Sequence, residues 1–341
     1  MSIKKNIVTF WKRFLQLDKA VKSALVLEDK ETLSSLLGEL NEACLSCCGC
    51  YLKVEKADDE FFECTFLSGR DKTAQYICEA MKHFAPSKVK DSWIINEGIQ
   101  PLSEDGFHYE FEVRDLRFGI NDIEVMMEVA TTQQMVSLKA YCPAYQWQEE
   151  AEKKTMFDLY LESMIGNVYY EAYIQEIEFK DEKTEGEWFP LADLYEHLSD
   201  VIERLNWNTY QRASDIYTAY KINEEGIKAE KGQDKVMITT SYPALFVEMC
   251  HQERFILNAA NHLGGEYGEL CYENQDARMN HELKQQINNL LKEYGLGKVI
   301  GGAMGLKYSY IELIVFDHHE FLYALSKMNE ILPVKLSYQP L

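Results

Sequence analysis

The stretch KVIGGAMGLKYSYIELIVFD, residues 298–317, decides the fold. Its second half, YSYIELIVF, is rich in aromatic and β-branched residues and reads as a strand. Its first half, GGAMG at 301–305, runs into that strand rather than into a helix, and no Lys-Ser or Lys-Thr pair follows. A phosphate cradle needs a strand, a glycine loop and then a helix whose N-terminus meets the anion. Glycines at a strand bend or bulge fit this stretch better. It is therefore a hairpin, with Ile311, Leu313 and Val315 facing a core. Tyr308, Tyr310, Glu312, Ile314 and Phe316 line the opposite face. Tyrosine is enriched at interfaces, which makes these five the candidate interaction face. The competing reading is that this face lies against the first domain.

Outward from the hairpin, Leu283, Ile287, Leu290, Leu291 and Tyr294 form one helical stripe that Gly295 stops. Before it come a strand KVMITTSY, a helix from about Phe246 to His262 and a strand YGELCYE. After it, FDHHEF sets Asp317 three residues ahead of Glu320, the spacing of a capping box rather than of metal ligands sharing a helix face. Phe321, Leu322, Leu325 and Met328 continue a final helix, and Pro333 begins a last strand. The order β-α-β-α-β-β-α-β implies a mostly antiparallel sheet with helices on one face, a ferredoxin-like elaboration. A boundary near NWNTYQRAS, residues 206–214, divides the chain into an N-terminal α+β domain over 1–206 and the C-terminal domain over 207–341.

In the N-terminal part Ile7, Phe10, Trp11, Phe14, Leu17 and Val21 recur at helical spacing. A second helix from about Lys30 carries Leu33, Leu36, Leu37 and Leu40, and the same steps reach Cys44 and Cys47. Gly49 ends it, and Cys50, Leu52 and Val54 open an alternating strand. The run EACLSCCGCYLKVE, residues 42–55, thus has a packing explanation for three of its four cysteines, leaving Cys48 over. Structural zinc normally takes paired knuckles, and the later Cys64 and Cys78 stand singly. Core packing, with no metal and no cofactor, is the expectation. Further strands are read at FFECTFL, SWIINEGI, HYEFEVRDL and YYEAYIQEIEF, a hairpin around TTQQ, and helices from Gln148 to Met164 and over LADLYEHLSDVIERL. No G-x-S-x-G and no Ser/His/Asp pattern stands out, so no catalytic residue is assigned. Glu110 and Glu112 alternate with apolar residues as a solvated face does.

Charge is the loudest global feature: 35 basic against 56 acidic residues, net −21. Residues 1–22 run against this trend, with six cations and one anion. The field disfavours nucleic acid and suits a basic protein partner. Lys12 and Arg13 interrupt any signal-peptide run, and no apolar stretch is long enough to span a bilayer. A cytoplasmic protein is expected, without membrane contact.

GKVIGGAMGLKYSYIELIVFD, with the helix and strand after it, resembles the end of a bacterial family of unassigned activity. Its C-terminal part is similar to the ferredoxin-like domain of the RNase E regulator B type. MIGNVYYEAYIQEIEF and WFPLADL resemble the same family's first domain. The resemblance implies a non-enzymatic, acidic protein that binds another protein, conceivably a nuclease. The resulting expectation is a regulator or inhibitor of a basic nuclease or toxin. The competing class is an enzyme or small-molecule binder working in a cleft between the two domains.

Overall fold

The computed structural model describes residues 2–102, 111–113, 116–222 and 227–341. The fold is mixed α and β with mostly antiparallel sheets. The chain forms two compact units, Met1–Glu97 with Tyr217–Leu341, and Gly98–Ile216. The division at 206/207 is corrected on this point. Residues 1–97 belong with the C-terminal segment because the two share one hydrophobic core.

Unit 1 begins with helix α1 (Ile3–Val26), which buries Ile3, Ile7, Phe10, Trp11, Phe14, Val21 and Ala24 as one stripe. Helix α2 (Lys30–Cys48) starts where Asp29 accepts from the Thr32 amide at 3.1 Å and stops at Gly49. Strands β1 (Tyr51–Lys56) and β2 (Phe62–Leu67) pair antiparallel. After helices α3 (Lys72–His83) and α4 (Ser87–Lys90), strand β3 (Trp93–Asn96) joins β2 in parallel. Phe10, Trp11, Phe14, Phe66 and Trp93 pack ring to ring with centroids 4.9–6.4 Å apart. Each such ring contributes roughly 1.5–3 kcal/mol through burial.

Unit 2 contains a two-stranded ribbon, β4 (Phe111–Val113) and β5 (Leu116–Phe118). The remainder of HYEFEVRDL, including Tyr109 and Glu110, lies outside the described residues. The hairpin around TTQQ is present as β6 (Glu124–Ala130) and β7 (Met135–Tyr141). Helix α5 (Glu150–Tyr173), strands β8 (Ile174–Lys180) and β9 (Phe189–Pro190), and helix α6 (Leu194–Arg204) complete the unit. Its sheet runs β8-β7-β6-β9. The strand expected over YYEAYIQEIEF begins only at Ile174. Its first half belongs to the helical segment after Gly166, and Tyr170 and Tyr173 are buried in the same core as Phe157, Tyr160, Leu161 and Met164.

Gly166 divides α5 into two helical segments. Its φ of 71° and ψ of 164° break the helical geometry at one residue. A Cβ there would meet Pro101 Cδ at 2.8 Å and the Ile99 carbonyl oxygen at 2.9 Å. The strand of backbone at 99–101 lies against the break, with the Ile99 amide donating to Asn167 Oδ1 at 2.6 Å and the Asn167 amide to the Ile99 carbonyl at 3.1 Å.

Returning to unit 1, the chain forms β10 (Thr218–Lys221), β11 (Lys235–Thr240), α7 (Pro243–Cys250), α8 (Phe255–Leu263), β12 (Glu266–Glu273), α9 (Ala277–Tyr294), β13 (Gly297–Val299), β14 (Gly301–Gly305), β15 (Tyr308–Val315), α10 (His318–Ile331) and β16 (Ser337–Pro340). The single helix expected over 246–262 is two. Buried Glu248 caps the second by accepting from the Ile256 amide at 2.9 and 3.0 Å. The sheet order is β10-β11-β14-β15-β12-β16, every pairing antiparallel, with β13 also on β15.

Helices do not keep to one face of this sheet, contrary to expectation. Ile311, Leu313 and Val315 pack with Leu283, Ile287 and Leu291 of α9 and Phe321, Leu325 and Met328 of α10. Tyr267, Ile300, Ile314 and Phe316 belong instead to the core built on α1, α3 and α8. Tyr76 and Thr73 of α3 fix that second cover through 2.8 Å hydroxyl bonds to Ser241 and Tyr267. Glu79 of α3 pairs with buried Lys298 and, at 3.4 Å, with Lys292. Among the described residues no helix is long and apolar enough to cross a membrane.

Replacing Gly166 by Ala should lower the stability of the protein by about 1–3 kcal/mol, the cost of forcing a side chain into a glycine-only backbone conformation. Urea unfolding followed by circular dichroism reads this directly. An unchanged midpoint would show that the close approach of residues 99–101 is not maintained in solution.

Candidate functional site

The five residues singled out from the sequence do not form an open surface. Tyr310 and Phe316 are each 2% exposed, Ile314 is fully buried, Glu312 is 9% exposed and Tyr308 is half-buried. The competing reading, that the N-terminal part covers this face, describes Ile314 and Phe316. Tyr310 packs with Ile238, Cys271 and Ala303. The reason is topological: β15 is an interior strand with neighbours on both sides and layers on both faces.

Tyr310 and the glycine stretch serve one buried carboxylate. Asp234 is fully buried and accepts from the Lys307 amide at 2.8 Å, the Tyr308 amide at 2.9 Å and the Tyr310 hydroxyl. It thereby fastens the turn between β14 and β15. A Cβ at Gly305 would run into this carboxylate, and one at Gly302 would meet the Tyr310 carbonyl oxygen at 2.7 Å. GGAMG is a strand pressed against its neighbours. Burial pushes the Asp234 carboxyl up, but the Tyr310 hydroxyl and the two amides outweigh it and hold the group below its ordinary value.

Glu312 is the opposite case. Burial pushes its carboxyl up, with Lys235 working against the rise. Lys235 itself pairs with Glu269 at 2.6 Å. A nearby cavity of about 200 Å³ is lined by Thr239, Tyr272, His281, Lys284, Ser309 and Tyr310 among others, without a carboxylate. It lacks the paired acids that general acid/base chemistry would use.

In FDHHEF, Asp317 caps α10 by accepting from the Glu320 amide at 3.1 Å. The return half of the capping box is absent, since Glu320 turns to Lys4 at 2.6 Å. His318 Nδ1 lies 2.9 Å from Glu266.

The cysteine run yields more than packing alone. Cys44, Cys47, Cys48 and Cys50 are all buried, as the helical and strand periodicities indicate for three of them. Cys47 meets the Met81 sulfur at 3.9 Å. The other three Sγ atoms form a compact triangle, with Cys44 to Cys48 at 3.5 Å and Cys48 to Cys50 at 3.4 Å. Cys78 of α3, distant in sequence, lies 3.6 Å from Cys50 at the edge of this triangle. All nine cysteines are free thiols. Hydrogen bonds from Cys44, Cys50 and Cys78 outweigh burial at Cys48 and pull its thiol well below its ordinary value. Burial pushes Cys47, Cys64 and Cys78 up. Among the described residues, Cys44, Cys48 and Cys50 form one group whose donor atoms all lie within 4.8 Å of one another. The place of Cys78 was open to sequence reasoning. It shares a helical stripe with Ala74, Ile77 and Met81, and that stripe faces the same core.

Charge is distributed unevenly between the units. Residues 98–216 carry 25 acidic and nine basic side chains, net −16 of the total −21. The loop after β8, residues 181–187, is exposed throughout and holds Asp181, Glu182, Glu185 and Glu187, with Lys183 paired to Glu124. Edge strand β8 adds exposed Glu176 and Glu178. No protein-family model, no curated protein and no solved structure matches the chain.

Two outcomes follow from these environments. In the native protein only exposed Cys250 should react rapidly with a thiol reagent, and all nine should react after denaturation; rapid native reaction of several thiols would show that the cluster opens. Asp234 should contribute stability above the ordinary carboxylate value of about 3.9 and lose it as pH falls through its lower folded value. Asp234→Ala should cost about 1–3 kcal/mol near neutral pH, with the difference from the parent shrinking in acid. A difference that stays constant down to the lowest pH would rule out an ionised carboxylate there.

Proposed function

We propose that this chain is a non-catalytic, acidic protein-binding module that engages a basic partner such as a nuclease or a toxin and restrains it. The observation that carries the reading is the charge of unit 2: nine cations can neutralise at most nine of its 25 acidic side chains. Such a field repels nucleic-acid phosphate and accelerates encounter with a basic surface. The buried face around Tyr310 plays no part in this reading. The exposed carboxylates of β8 and of the loop at 181–187 take its place. A cytoplasmic location belongs to the same proposal.

The resemblance to the RNase E regulator B type is proposed with it. The succession β12-α9-β14-β15-α10-β16, with these strands ordered β16-β12-β15-β14 and all antiparallel, supports a ferredoxin-like reading of the C-terminal segment.

Immobilised full-length protein should retain a basic protein from lysate at low salt and release it as ionic strength rises through the range where the Debye length falls below ~10 Å. Reversing Asp181, Glu182, Glu185 and Glu187 to Lys should slow association by roughly tenfold or more. Retention that ignores both salt and these substitutions would sink the electrostatic reading.

A further inference from the structure

Four thiols that sequence separates into α2, its terminus, the bend before β1 and α3 stand side by side in the core of unit 1. Cys44, Cys48 and Cys78 are fully buried and Cys50 is 6% exposed. Their sulfurs follow one another at 3.5, 3.4 and 3.6 Å without a disulfide. A tetrahedral thiolate site with metal–sulfur bonds of about 2.3 Å has sulfur–sulfur edges of about 3.8 Å. Cys44, Cys48 and Cys50, all within 4.8 Å of one another, supply one face of such a tetrahedron, and Cys78, 3.6 Å from Cys50 but outside that group, completes it by a side-chain shift toward the other two. Gly49 turns the chain between Cys48 and Cys50 with φ of 76°, so both sulfurs face one point.

The donor set is all sulfur, which favours a soft or borderline ion over magnesium or calcium. Thiolates without a counter-charge are costly in an apolar core, and a divalent cation bonded to them offsets much of that cost. We propose that Cys44, Cys48, Cys50 and Cys78 form a structural zinc site that ties α2, β1 and α3 together. Each thiol loses its proton to solvent as it becomes a ligand, so uptake is favoured as pH rises. With the sulfurs enclosed, the ion enters as the segment folds. Cys47, directed at Met81, takes no part.

Full-length protein from zinc-supplemented culture should contain about one zinc per chain by elemental analysis. Unfolded and refolded with cobalt(II), it should show the near-ultraviolet sulfur-to-cobalt charge transfer and the visible d–d bands of tetrahedral thiolate ligation. Cys47→Ala should keep the metal. Cys48→Ala and Cys78→Ala should each weaken binding by more than about 100-fold. Because the cobalt spectrum is read on the parent chain, a variant that fails to fold does not blunt the test. Parent protein that refolds fully without metal and gives no charge-transfer band overturns the proposal, as does zinc content unchanged in Cys48→Ala.

Discussion

The structure of unit 1 depends on covering both faces of one strand. Tyr310, Ile311, Leu313, Ile314 and Val315 of β15 are each at most 2% exposed. The cover on one side is local, from α9 and α10, which flank the hairpin in sequence. The other comes from the first hundred residues, through α1 and α3. Uncovering Tyr267, Ile300, Ile314 and Phe316 would forfeit on the order of 6–12 kcal/mol of burial, comparable to the entire net stability of a typical domain, about 5–15 kcal/mol. The N-terminal segment is therefore part of this unit and not a domain beside it. The hydroxyl bonds of Thr73 and Tyr76 and the Glu79–Lys298 pair give that cover its register.

The same arrangement separates two kinds of chemistry. Unit 1 combines a large apolar interior with near-balanced charge, 26 basic against 31 acidic residues. A few of its ionisable groups are internal fasteners, such as Asp234 at the β14–β15 turn and Glu248 of α7, whose carboxylate caps α8. Unit 2 carries the surplus of negative charge, much of it on an edge strand and the loop beyond. Acidic side chains on β8 also discourage another strand from pairing there. One surface feature thus serves both solubility and the proposed recognition.

Local periodicity carried most of the elements into view. The stripe of α1, the cap and stop of α2, the TTQQ hairpin and the glycine-limited end of α9 all announce themselves over a few residues. What sequence reading missed depends on long-range packing. Tyr308, Tyr310, Glu312, Ile314 and Phe316 alternate like a half-exposed strand, and nothing within the hairpin reveals that α1 and α3 lie over it. YYEAY has strand-forming composition but is helical, and Tyr170 and Tyr173 enter the core that Phe157 and Tyr160 also fill. Glu248 lies inside α7, and only the fold shows its side chain reaching on to cap the separate helix α8. The thiol cluster was half legible: Cys44, Cys47 and Cys50 were placed correctly in the core, but the approach of Cys78 is a tertiary event.

The sequence insertion of unit 2 between residues 97 and 217 bears on how the protein is made. The Tyr76–Ser241 and Thr73–Tyr267 bonds join residues 165 and 194 positions apart. At ordinary rates of synthesis the apolar faces of α1 and α3 wait on the order of ten seconds for their partner strands to leave the ribosome. Unit 2, contiguous and complete by residue 216, has all its own core in hand during that interval. The apolar faces of α1 and α3 therefore have no native cover until β12 and β15 have been synthesised.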